Sequence, residues 1–409
     1  MQTSANGPTE RTEWSAVNWR CANRSVRNLR RRIFRATQAE DWKTVNGLQK
    51  LMLRSYSNRL VSVRRVTQEN KGKRTAGLDK VLVTTPKARA ELAESLRAYQ
   101  PWRSRPTKRV YIPKANGKQR PLGIPTIRDR ALQSMVKNAL EPSWEARFEG
   151  TSYGFRPGRS AQDAISRVYQ LSLPTRRKKW VVDADIEGAF DNIDHEHLLR
   201  TIGLVPGREL VRQWLKAGYV DRGVFHPTDA GTPQGGVVSP LLANVALHGL
   251  GAAMGAGRAV VRYADDFVVF CESREDALVA IEDLNVWLDE RGLKLSQEKT
   301  RVVHLTEGFD FLGFNVRLYP APTTSRTGYK LLIKPSKASV RRIRTELGQE
   351  WRRLVGQPIG TVIRTLNPII RGQANYFRTQ VASETFASLD HWMYLRQFRW
   401  ARRSHSTKP

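Results

Sequence analysis

The sequence predicts an α+β chain, with a central antiparallel sheet and basic helices before and after it. The main observation is residues 260–270, where two runs of β-branched and aromatic residues flank a polar step at Asp265 and Asp266. This pattern predicts a strand-turn-strand hairpin. The second observation is that apolar residues recur at helical spacing near both ends of the chain, which predicts helices there.

Size and charge narrow the class of protein. A chain of 409 residues accommodates two or three structural units. Its 69 Lys and Arg outnumber 38 Asp and Glu, and the net charge of +31 favours a polyanionic partner, either nucleic acid or an anionic membrane. No apolar run approaches the ~20 residues that span a bilayer. With two cysteines and a polar N-terminus, we expect a reduced intracellular protein without a signal peptide.

The N-terminal region predicts basic helices. Val26, Leu29 and Ile33 form one apolar stripe over residues 24–35, and a second helix is expected over residues 41–60. The polar face of the first helix carries arginines without an acid, which favours phosphate binding over an ordinary solvated surface. These are Arg24, Arg27, Arg30, Arg31, Arg32 and Arg35. Residues 71–79 indicate an exposed basic turn.

A second hairpin is predicted over residues 109–125, after a helix near residues 86–99. Asn116-Gly117 is a strong turn signal between two short apolar runs. Lys114, Lys118 and Arg120 would line this hairpin, where they could grip a triphosphate or a template backbone. A helix over residues 129–140 leads to a turn at residues 154–160. From local sequence this turn is equally an anion site and a structural capping turn.

Residues 180–186 predict a buried strand that carries acids. Asp183 and Asp185 share one face of it because side chains alternate along a strand. Carboxylates on an apolar strand are costly unless they are paired or bind metal, and hard oxygen ligands suit Mg²⁺. The plainer alternatives are a salt bridge to an arginine and, for Asp265 and Asp266, a solvated turn.

The remaining elements follow in order. Ser239 is expected to cap a helix that begins at Pro240, after a glycine-containing loop over residues 231–236. A helix over residues 274–291 and two short strands come next, the second over residues 309–314. Pro, Thr and Ser accumulate near residues 319–330, which indicates a domain boundary.

Three helices are predicted beyond this boundary. The second is expected to be capped by Asn367-Pro368, and the third covers residues 385–403. The third mixes basic residues with Trp392, Tyr394, Phe398 and Trp400. Such a mixture can bind nucleic acid, but for most of these aromatics we expect a place in the helical core.

In their order along the chain, these segments resemble a known family. Residues 185–190, the Pro-Gln-Gly loop, Tyr-Ala-Asp-Asp and a downstream lysine resemble the palm of reverse transcriptases. Residues 112–114, 120–125 and 154–160 are similar to segments of group II intron-encoded reverse transcriptase/maturases. Residues 372–378 resemble the maturase-specific thumb, and the N-terminal helices and the loop at 71–79 resemble that family's N-terminal extension. The resemblance covers nearly the whole chain, from about Trp14 to Arg403.

The resemblance implies a right-hand polymerase fold and assigns roles to residues. It divides the chain into an N-terminal extension (1–80), fingers and palm (81–318) and a helical thumb or maturase domain (319–409). Two Mg²⁺ ions would be held by Asp185, Asp265, Asp266 and the Ile186 carbonyl. Because neighbouring strand residues face opposite ways, we expect Asp265 rather than Asp266 to bind both ions. Asp183 would be structural.

Further roles concern the nucleotide and RNA. Phe190 would act as a steric gate against ribonucleotides, Gln234 would touch the nucleotide or template, Lys114 and Arg120 would bind phosphates, and Lys299 would protonate pyrophosphate. The RNA-binding residues would be Arg24, Arg27, Arg31, Arg35, Arg341, Arg344, Arg378 and Arg399.

The implied function is RNA-directed DNA synthesis, coupled to binding of a group II intron RNA that assists splicing and mobility. The implied partners are intron RNA, an RNA template with a DNA primer, dNTPs and target DNA, without a membrane; a homodimer stays open. The C-terminal nuclease of some family members is expected to be missing, and a bacterial, nucleoid-associated cytoplasmic location is expected. The alternatives are a splicing-only RNA-binding protein and a polymerase domesticated for defence or diversity generation.

Overall fold

The computed structural model describes residues 13–97, 102–113, 117, 119–322 and 326–404. Its α-helices, in chain order, are α1 (Trp19–Gln38), α2 (Trp42–Arg54), α3 (Tyr56–Arg64), α4 (Pro86–Ser95), α5 (Ile127–Glu145), α6 (Ala161–Ser172), α7 (Ala189–Asn192), α8 (His195–Ile202), α9 (Arg208–Leu215), α10 (Ser239–Ala246), α11 (Leu250–Ala253), α12 (Arg274–Asp289), α13 (Lys337–Arg353), α14 (Ile359–Phe377) and α15 (Ser383–Ser404).

The strands are β1 (Thr107–Pro113), β2 (Gln119–Ile124), β3 (Trp180–Asp185), β4 (Tyr219–Asp221), β5 (Val224–His226), β6 (Ala259–Tyr263), β7 (Asp266–Cys271), β8 (Arg301–His304), β9 (Phe309–Phe311), β10 (Phe314–Pro320) and β11 (Tyr329–Pro335). They form three sheets, with the strand orders β2-β1-β4-β5, β6-β7-β3-β8 and β11-β10-β9. The mixture of helices and mainly antiparallel sheets confirms the predicted α+β class.

The described residues form two compact units. The first draws on Met1–Pro157, Ile186–Ala253 and Leu284–Ser296, and the second on Gly158–Asp185, Met254–Asp283 and Gln297–Pro409. The three-part division predicted from the sequence follows local patterns rather than contacts, and its boundaries stay a prediction.

In the first unit, helices α1, α2 and α5 share a core. Val26 and Ile33 of α1 are buried against Val45, Leu48 and Met52 of α2 and Ala139 of α5, so the predicted apolar stripe is confirmed. The helix predicted over residues 41–60 is in fact two helices. Ser55 has an extended backbone, and its side chain accepts a hydrogen bond from the Asn58 amide to begin α3. A capping serine thus interrupts a continuous apolar pattern.

The hairpin predicted over residues 109–125 is confirmed, because β1 and β2 pair in antiparallel register from Lys108 opposite Ile124 to Pro113 opposite Gln119. Its predicted turn, with Lys114 and Lys118, lies outside the described residues apart from Gly117. The sheet is extended by β4, which pairs with β1, and by β5 at the edge.

In the turn at residues 154–160, the first arginine, Arg156, has a structural role. Arg156 has a side chain 2% exposed, forms an ion pair with Glu145, and donates to the carbonyls of Glu149 and Ser152. Buried and saturated in this way, its guanidinium is not available to an anion, so the capping-turn interpretation is correct for Arg156. In the second unit, Ser160 and Asp163 form a capping box at the start of α6.

Several local predictions are wrong. Ser239 is the first residue of α10 rather than its cap, and its hydroxyl donates to the Pro233 carbonyl. Residues 309–314 form the hairpin β9–β10 instead of one strand, because Leu312 and Gly313 both have positive φ. The domain boundary predicted near residues 319–330 stays a prediction; within this range, Tyr319 and Pro320 of β10 pair with Lys330 and Tyr329 of β11.

The thumb-like helices also differ from expectation. Pro368 lies inside α14, which begins earlier, at Ile359, so Asn367-Pro368 does not cap it. Of the four aromatics predicted mainly as core in α15, Trp400 is buried, whereas Tyr394 is 64% and Phe398 56% exposed. Helical spacing alone did not reveal which face of α15 is covered.

Candidate active site

The hairpin of β6 and β7 carries two adjacent carboxylates at its tip. Tyr263 pairs with Asp266, which leaves Ala264 and Asp265 as a two-residue turn. Ala264 has a φ of 60°, a left-handed conformation that side chains other than glycine and asparagine seldom adopt. The buried Arg262 donates from Nη1 to the Ala264 carbonyl at 3.0 Å. A guanidinium under the turn therefore supports the backbone that presents Asp265.

A third carboxylate lies across the sheet from this tip. In the antiparallel pair of β3 and β7, Asp185 is directly opposite Asp266, and facing Cβ atoms in such pairs are about 4.5–5.5 Å apart. Desolvation, together with the neighbouring carboxylates of Asp265, Asp185 and Asp183, raises the pKa of Asp266 to about 6, although the residue keeps an exposed side. The strand pairing thus brings Asp185, Asp265 and Asp266 together.

Asp183 lies two residues earlier on β3. Its pKa is raised to about 6, chiefly by desolvation and also by the carboxylates of Asp310 and Asp185, while the guanidinium of Arg301 opposes the rise. The Arg301 Nη2 is 3.9 Å from Asp183 Oδ2, which agrees with the predicted alternative of a salt bridge to an arginine for this acid.

Lys299 contacts the carboxylate of Asp185. Its Nζ donates to Asp185 Oδ2, and this hydrogen bond is the main reason that the pKa of Lys299 is raised, with further contributions from Asp266 and Asp265. The structure therefore places the ammonium group predicted as a proton donor beside three carboxylates.

The donor set fits a divalent cation in its chemistry, since carboxylate oxygens are the ligands that Mg²⁺ prefers. Within the described ranges, however, no group of three or more His, Cys, Asp or Glu side chains is already arranged to hold an ion. Asp185 is instead paired with Lys299. Ile186, whose carbonyl was expected to join the site, forms an isolated antiparallel bridge with Leu295.

In the first unit, the Pro-Gln-Gly loop packs against the segment around Phe190. The Thr232 amide donates to the Phe190 carbonyl at 2.6 Å, and Gln234 Nε2 donates to Asp191 Oδ2 at 3.0 Å. The ring of Phe190 meets Phe155 edge to face, with centroids 6.0 Å apart. These contacts fix the Phe190 ring and the Gln234 amide relative to each other.

A pocket of about 430 Å³ lies beside this loop. Phe190 and Gln234 line it together with Arg109, whose guanidinium lies 3.7 Å from the Tyr219 ring centroid. Arg120 is exposed on β2, opposite Ile112. Lys114 lies outside the described residues. The pocket combines a hydrophobic ring, an amide and a cation, a set suited to a polar organic ligand.

The arginines predicted to bind RNA are on the surface. Arg24, Arg27, Arg31 and Arg35 are exposed on α1. Arg341 and Arg399 are exposed on α13 and α15, Arg378 is exposed just after α14, and Arg344 is half-buried on α13. Arg30, from the same cluster, instead pairs with the buried Glu141 at 2.5 Å and is structural.

Sequence reasoning missed three residues near these sites. Asp310 stands beside Asp183, Arg262 supports the hairpin tip, and Asp191 holds Gln234. A charged residue within an apolar strand was a usable signal for Arg262, because burying a guanidinium requires a partner. Asp310 and Asp191 had no such signal, since their contacts come from residues distant in the sequence.

Strand-borne carboxylates at a hairpin tip, in a chain this basic, are typical of the nucleotidyltransferases of the nucleic-acid polymerase class. The model of the reverse transcriptase (RNA-dependent DNA polymerase) family matches residues 112–316. The N-terminal domain of reverse transcriptase matches residues 14–96, and the maturase-specific domain of group II introns matches residues 340–409. The chain belongs to the reverse transcriptase family, in the group II intron branch, as the resemblance predicted.

Similar proteins agree with this membership. Protein YkfC of Escherichia coli K12 is 36% identical over 304 residues, 62% of this chain and 79% of that protein. Group II intron-encoded protein LtrA of Lactococcus lactis is 32% identical over 294 residues, 54% of this chain and 49% of LtrA. This chain thus spans about half the length of LtrA. A telomerase structure from Candida albicans matches with a TM-score of 0.41 at 14% identity, over 74% of this chain and 60% of its own.

The matches to the reverse transcriptase and maturase-specific models support reverse transcriptase and intron-splicing roles, as predicted. Reverse transcriptases in general use a divalent metal, whereas the particular ion, the RNA and the other partners of this chain stay predictions. Among the helices of the described segments, none is long and apolar enough to cross a membrane.

Proposed function

We propose that this chain synthesises DNA on an RNA template with Asp185, Asp265 and Asp266 as the ligands of two Mg²⁺ ions. The observation that carries the proposal is the cross-strand pairing of Asp185 with Asp266 beside Asp265. Desolvation and these neighbouring carboxylates raise the pKa of Asp266 to about 6. Carboxylates held close together at partly desolvated strand ends form an unfavourable arrangement until a cation joins them. When bound, two Mg²⁺ ions would activate the primer hydroxyl and neutralise charge on the leaving pyrophosphate.

Lys299 has two parts in this proposal. Its ammonium group pairs with the Asp185 carboxylate, which reduces the repulsion among the three carboxylates before substrate binds. On a nucleotide complex it would carry a proton at Nζ for the leaving pyrophosphate, as the resemblance suggests. Its raised pKa keeps that nitrogen protonated at neutral pH, which favours the role of proton donor over that of base.

The pocket beside Phe190 is proposed to hold the incoming dNTP. The Phe190 ring, braced by Phe155, would clash with a 2′-hydroxyl, and Gln234, oriented by Asp191, would contact the nucleotide or the template. Arg120, and Lys114 beyond the described residues, would bind the phosphates. The fixed positions of the ring and the amide support this assignment, because excluding a 2′-hydroxyl requires a side chain that cannot move out of its way.

The proposed partners are a group II intron RNA, a template RNA with its DNA primer, dNTPs and target DNA. Exposed arginines on α1, and on α13 and α15, would contact RNA phosphates and help the intron fold for splicing. Recognition would rest largely on RNA shape, since phosphate contacts carry no base information.

Primer extension on poly(rA)/oligo(dT) with Mg²⁺ tests the proposal, with wild type beside Asp265→Ala. We expect extension by wild type and none by the variant, while RNA affinity is retained. Asp289→Asn, which alters an exposed carboxylate on α12, is the matched control and should extend normally. Extension by Asp265→Ala would overturn the metal assignment. No extension by wild type, with tight RNA binding, would favour a splicing-only protein.

A further inference from the structure

A buried histidine contacts the backbone of the loop that lines the pocket beside Phe190. His195 is the first residue of α8 and is 2% exposed. Its Nε2 is 2.7 Å from the carbonyl oxygen of Gly231, which belongs to the pocket lining. A carbonyl oxygen can only accept, so the ring carries its proton at Nε2 and donates there. A buried carbonyl requires a donor, and the imidazole supplies it.

The acceptor of this bond belongs to a peptide group that is held on both sides. The Gly231 carbonyl and the Thr232 amide are parts of one peptide plane. The carbonyl accepts from His195, and the amide N–H donates to the Phe190 carbonyl oxygen at 2.6 Å. In a trans peptide the C=O and the N–H lie in one plane and point in opposite directions. Fixing the carbonyl therefore also fixes the direction of the N–H that reaches Phe190.

The glycine at position 231 makes external support of this peptide necessary. Gly231 has a φ of 83°, and a Cβ atom there would be 2.5 Å from the Asp191 carbonyl oxygen. Glycine permits this close approach, but it also restricts its own backbone torsions least of all residues. The Gly231 amide donates to the Ile193 carbonyl at 2.8 Å, and Asp194 forms an antiparallel bridge with Ala230. These bonds hold the chain before Gly231, and the bond from His195 holds the peptide after it.

The imidazole is itself held on a fixed base. Asp194 caps α8, because its carboxylate accepts from the His197 amide at 2.6 Å, and its own amide donates to the Arg291 carbonyl at 2.9 Å. The second ring nitrogen of His195, Nδ1, is buried and has no hydrogen-bond partner in the part of the chain that the structure describes. Within those residues, the bond to Gly231 is thus the polar contact that orients the ring.

We propose that His195 is a positioning residue for the selection of deoxyribonucleotides. Its Nε2 holds the peptide between Gly231 and Thr232, this peptide holds the Phe190 backbone, and the Phe190 ring then keeps its place as the steric gate. His195 does not belong to the described lining of the pocket, so it acts through the loop rather than on the nucleotide. The inference rests on the proposed function of the pocket and adds the residue that fixes its gate.

The test compares two substitutions of similar length and volume in the full chain. His195→Gln keeps an N–H donor near the position of Nε2, whereas His195→Met has no donor. In single-turnover primer extension, the ratio of ribonucleotide to dNTP incorporation should rise about tenfold in His195→Met, the lower end of the range for a loosened contact in a pocket. His195→Gln should restore a ratio close to that of wild type. The maximal rate with dNTP should change little in both variants, because the loss concerns discrimination and not the chemical step.

Further variants separate positioning from a purely structural role. The double variant of His195→Met and Phe190→Val should have the ratio of Phe190→Val alone, because the histidine acts through that ring. His197→Met removes another imidazole from α8 as the matched control and should keep the wild-type ratio. Thermal unfolding verifies that each variant is folded. If His195→Met does not fold, His195→Asn replaces it, since its amide is one methylene too short to reach the Gly231 carbonyl, and it should raise the ratio in the same way.

The outcomes separate the inference from the proposed function. An unchanged ratio in His195→Met or His195→Asn, beside a raised ratio in Phe190→Val, would overturn the inference and leave the steric gate in place. Equal rises in His195→Gln and His195→Met, or single effects that multiply in the double variant, would also overturn it. An unchanged ratio in Phe190→Val would remove the gate and the inference with it. No extension by wild type would defeat the proposed polymerase itself.

Discussion

Replacement of Asp183 by Asn should stabilise the protein at alkaline pH. The pKa of Asp183 is raised from 3.8 to about 6, chiefly by desolvation. A shift of about two units at 1.36 kcal/mol each gives an upper bound of about 3 kcal/mol. The side chain is 19% exposed and Arg301 is near, so screening by solvent reduces the expected effect to about 1–2 kcal/mol.

The sign follows from proton linkage. Because the folded protein binds the Asp183 proton more tightly than the unfolded chain does, the contribution of Asp183 to stability is fully present below about pH 4 and is lost as pH rises through about 6. Asparagine does not titrate and avoids this loss. The free energy of unfolding of the variant minus that of wild type should therefore be about 1–2 kcal/mol larger at pH 8 than at pH 4.5.

Urea unfolding of both proteins at the two pH values, with EDTA to remove divalent ions, measures this effect. Asp390→Asn, an exposed carboxylate on α15, is the control and should change the free energy of unfolding by less than about 0.5 kcal/mol at either pH. An Asp183→Asn effect that is the same at both pH values, or a loss of stability at pH 8, would refute the reasoning that desolvation dominates.

Three further changes in the first unit test its packing and the proposed steric gate. Gly231→Ala should lower the free energy of unfolding by about 3 kcal/mol, because φ is 83° and the new Cβ would be 2.5 Å from the Asp191 carbonyl oxygen. The control Gly223→Ala, with a φ of 90° but open space around it, should lower it by only about 1 kcal/mol. Thermal unfolding measures both. Phe190→Val should raise the ratio of ribonucleotide to dNTP incorporation about 10–200-fold in single-turnover experiments. An unchanged ratio would rule out the steric-gate role of Phe190. Arg30→Ala should cost about 2 kcal/mol in urea unfolding, since it leaves a buried carboxylate with one fewer partner; a neutral result would mean that water replaces the guanidinium.

Predictions based on local patterns succeeded where the cause was local. The hairpin with Asp265 and Asp266 at its tip was predictable because β-branched runs and a short polar step are sufficient to define one. Helix α1 was predictable for the same reason, since its apolar stripe is visible in the spacing of residues along the chain. The helix break at Ser55 was missed because a capping serine and a solvated one look alike in sequence.

Arg156 and Lys299 are cases that only contacts could decide. Both are basic residues in polar surroundings, yet Arg156 is buried on Glu145, and Lys299 pairs with Asp185. Their partners lie 11 and 114 residues away. The charge of a side chain is a property of its residue type, but which opposite charge it meets depends on how distant segments pair.

The sequence by itself determined the class of this protein, its basic character and the residue types of its candidate site, because composition, alternation and motif order are properties of the chain. The tertiary structure decided which carboxylates face one another, which arginines form ion pairs inside the protein, and which aromatics of α15 remain exposed. Those outcomes depend on the register of β3 against β7 and on which faces of α13 and α15 meet. Register and packing are set by long-range contacts, and no local pattern encodes them.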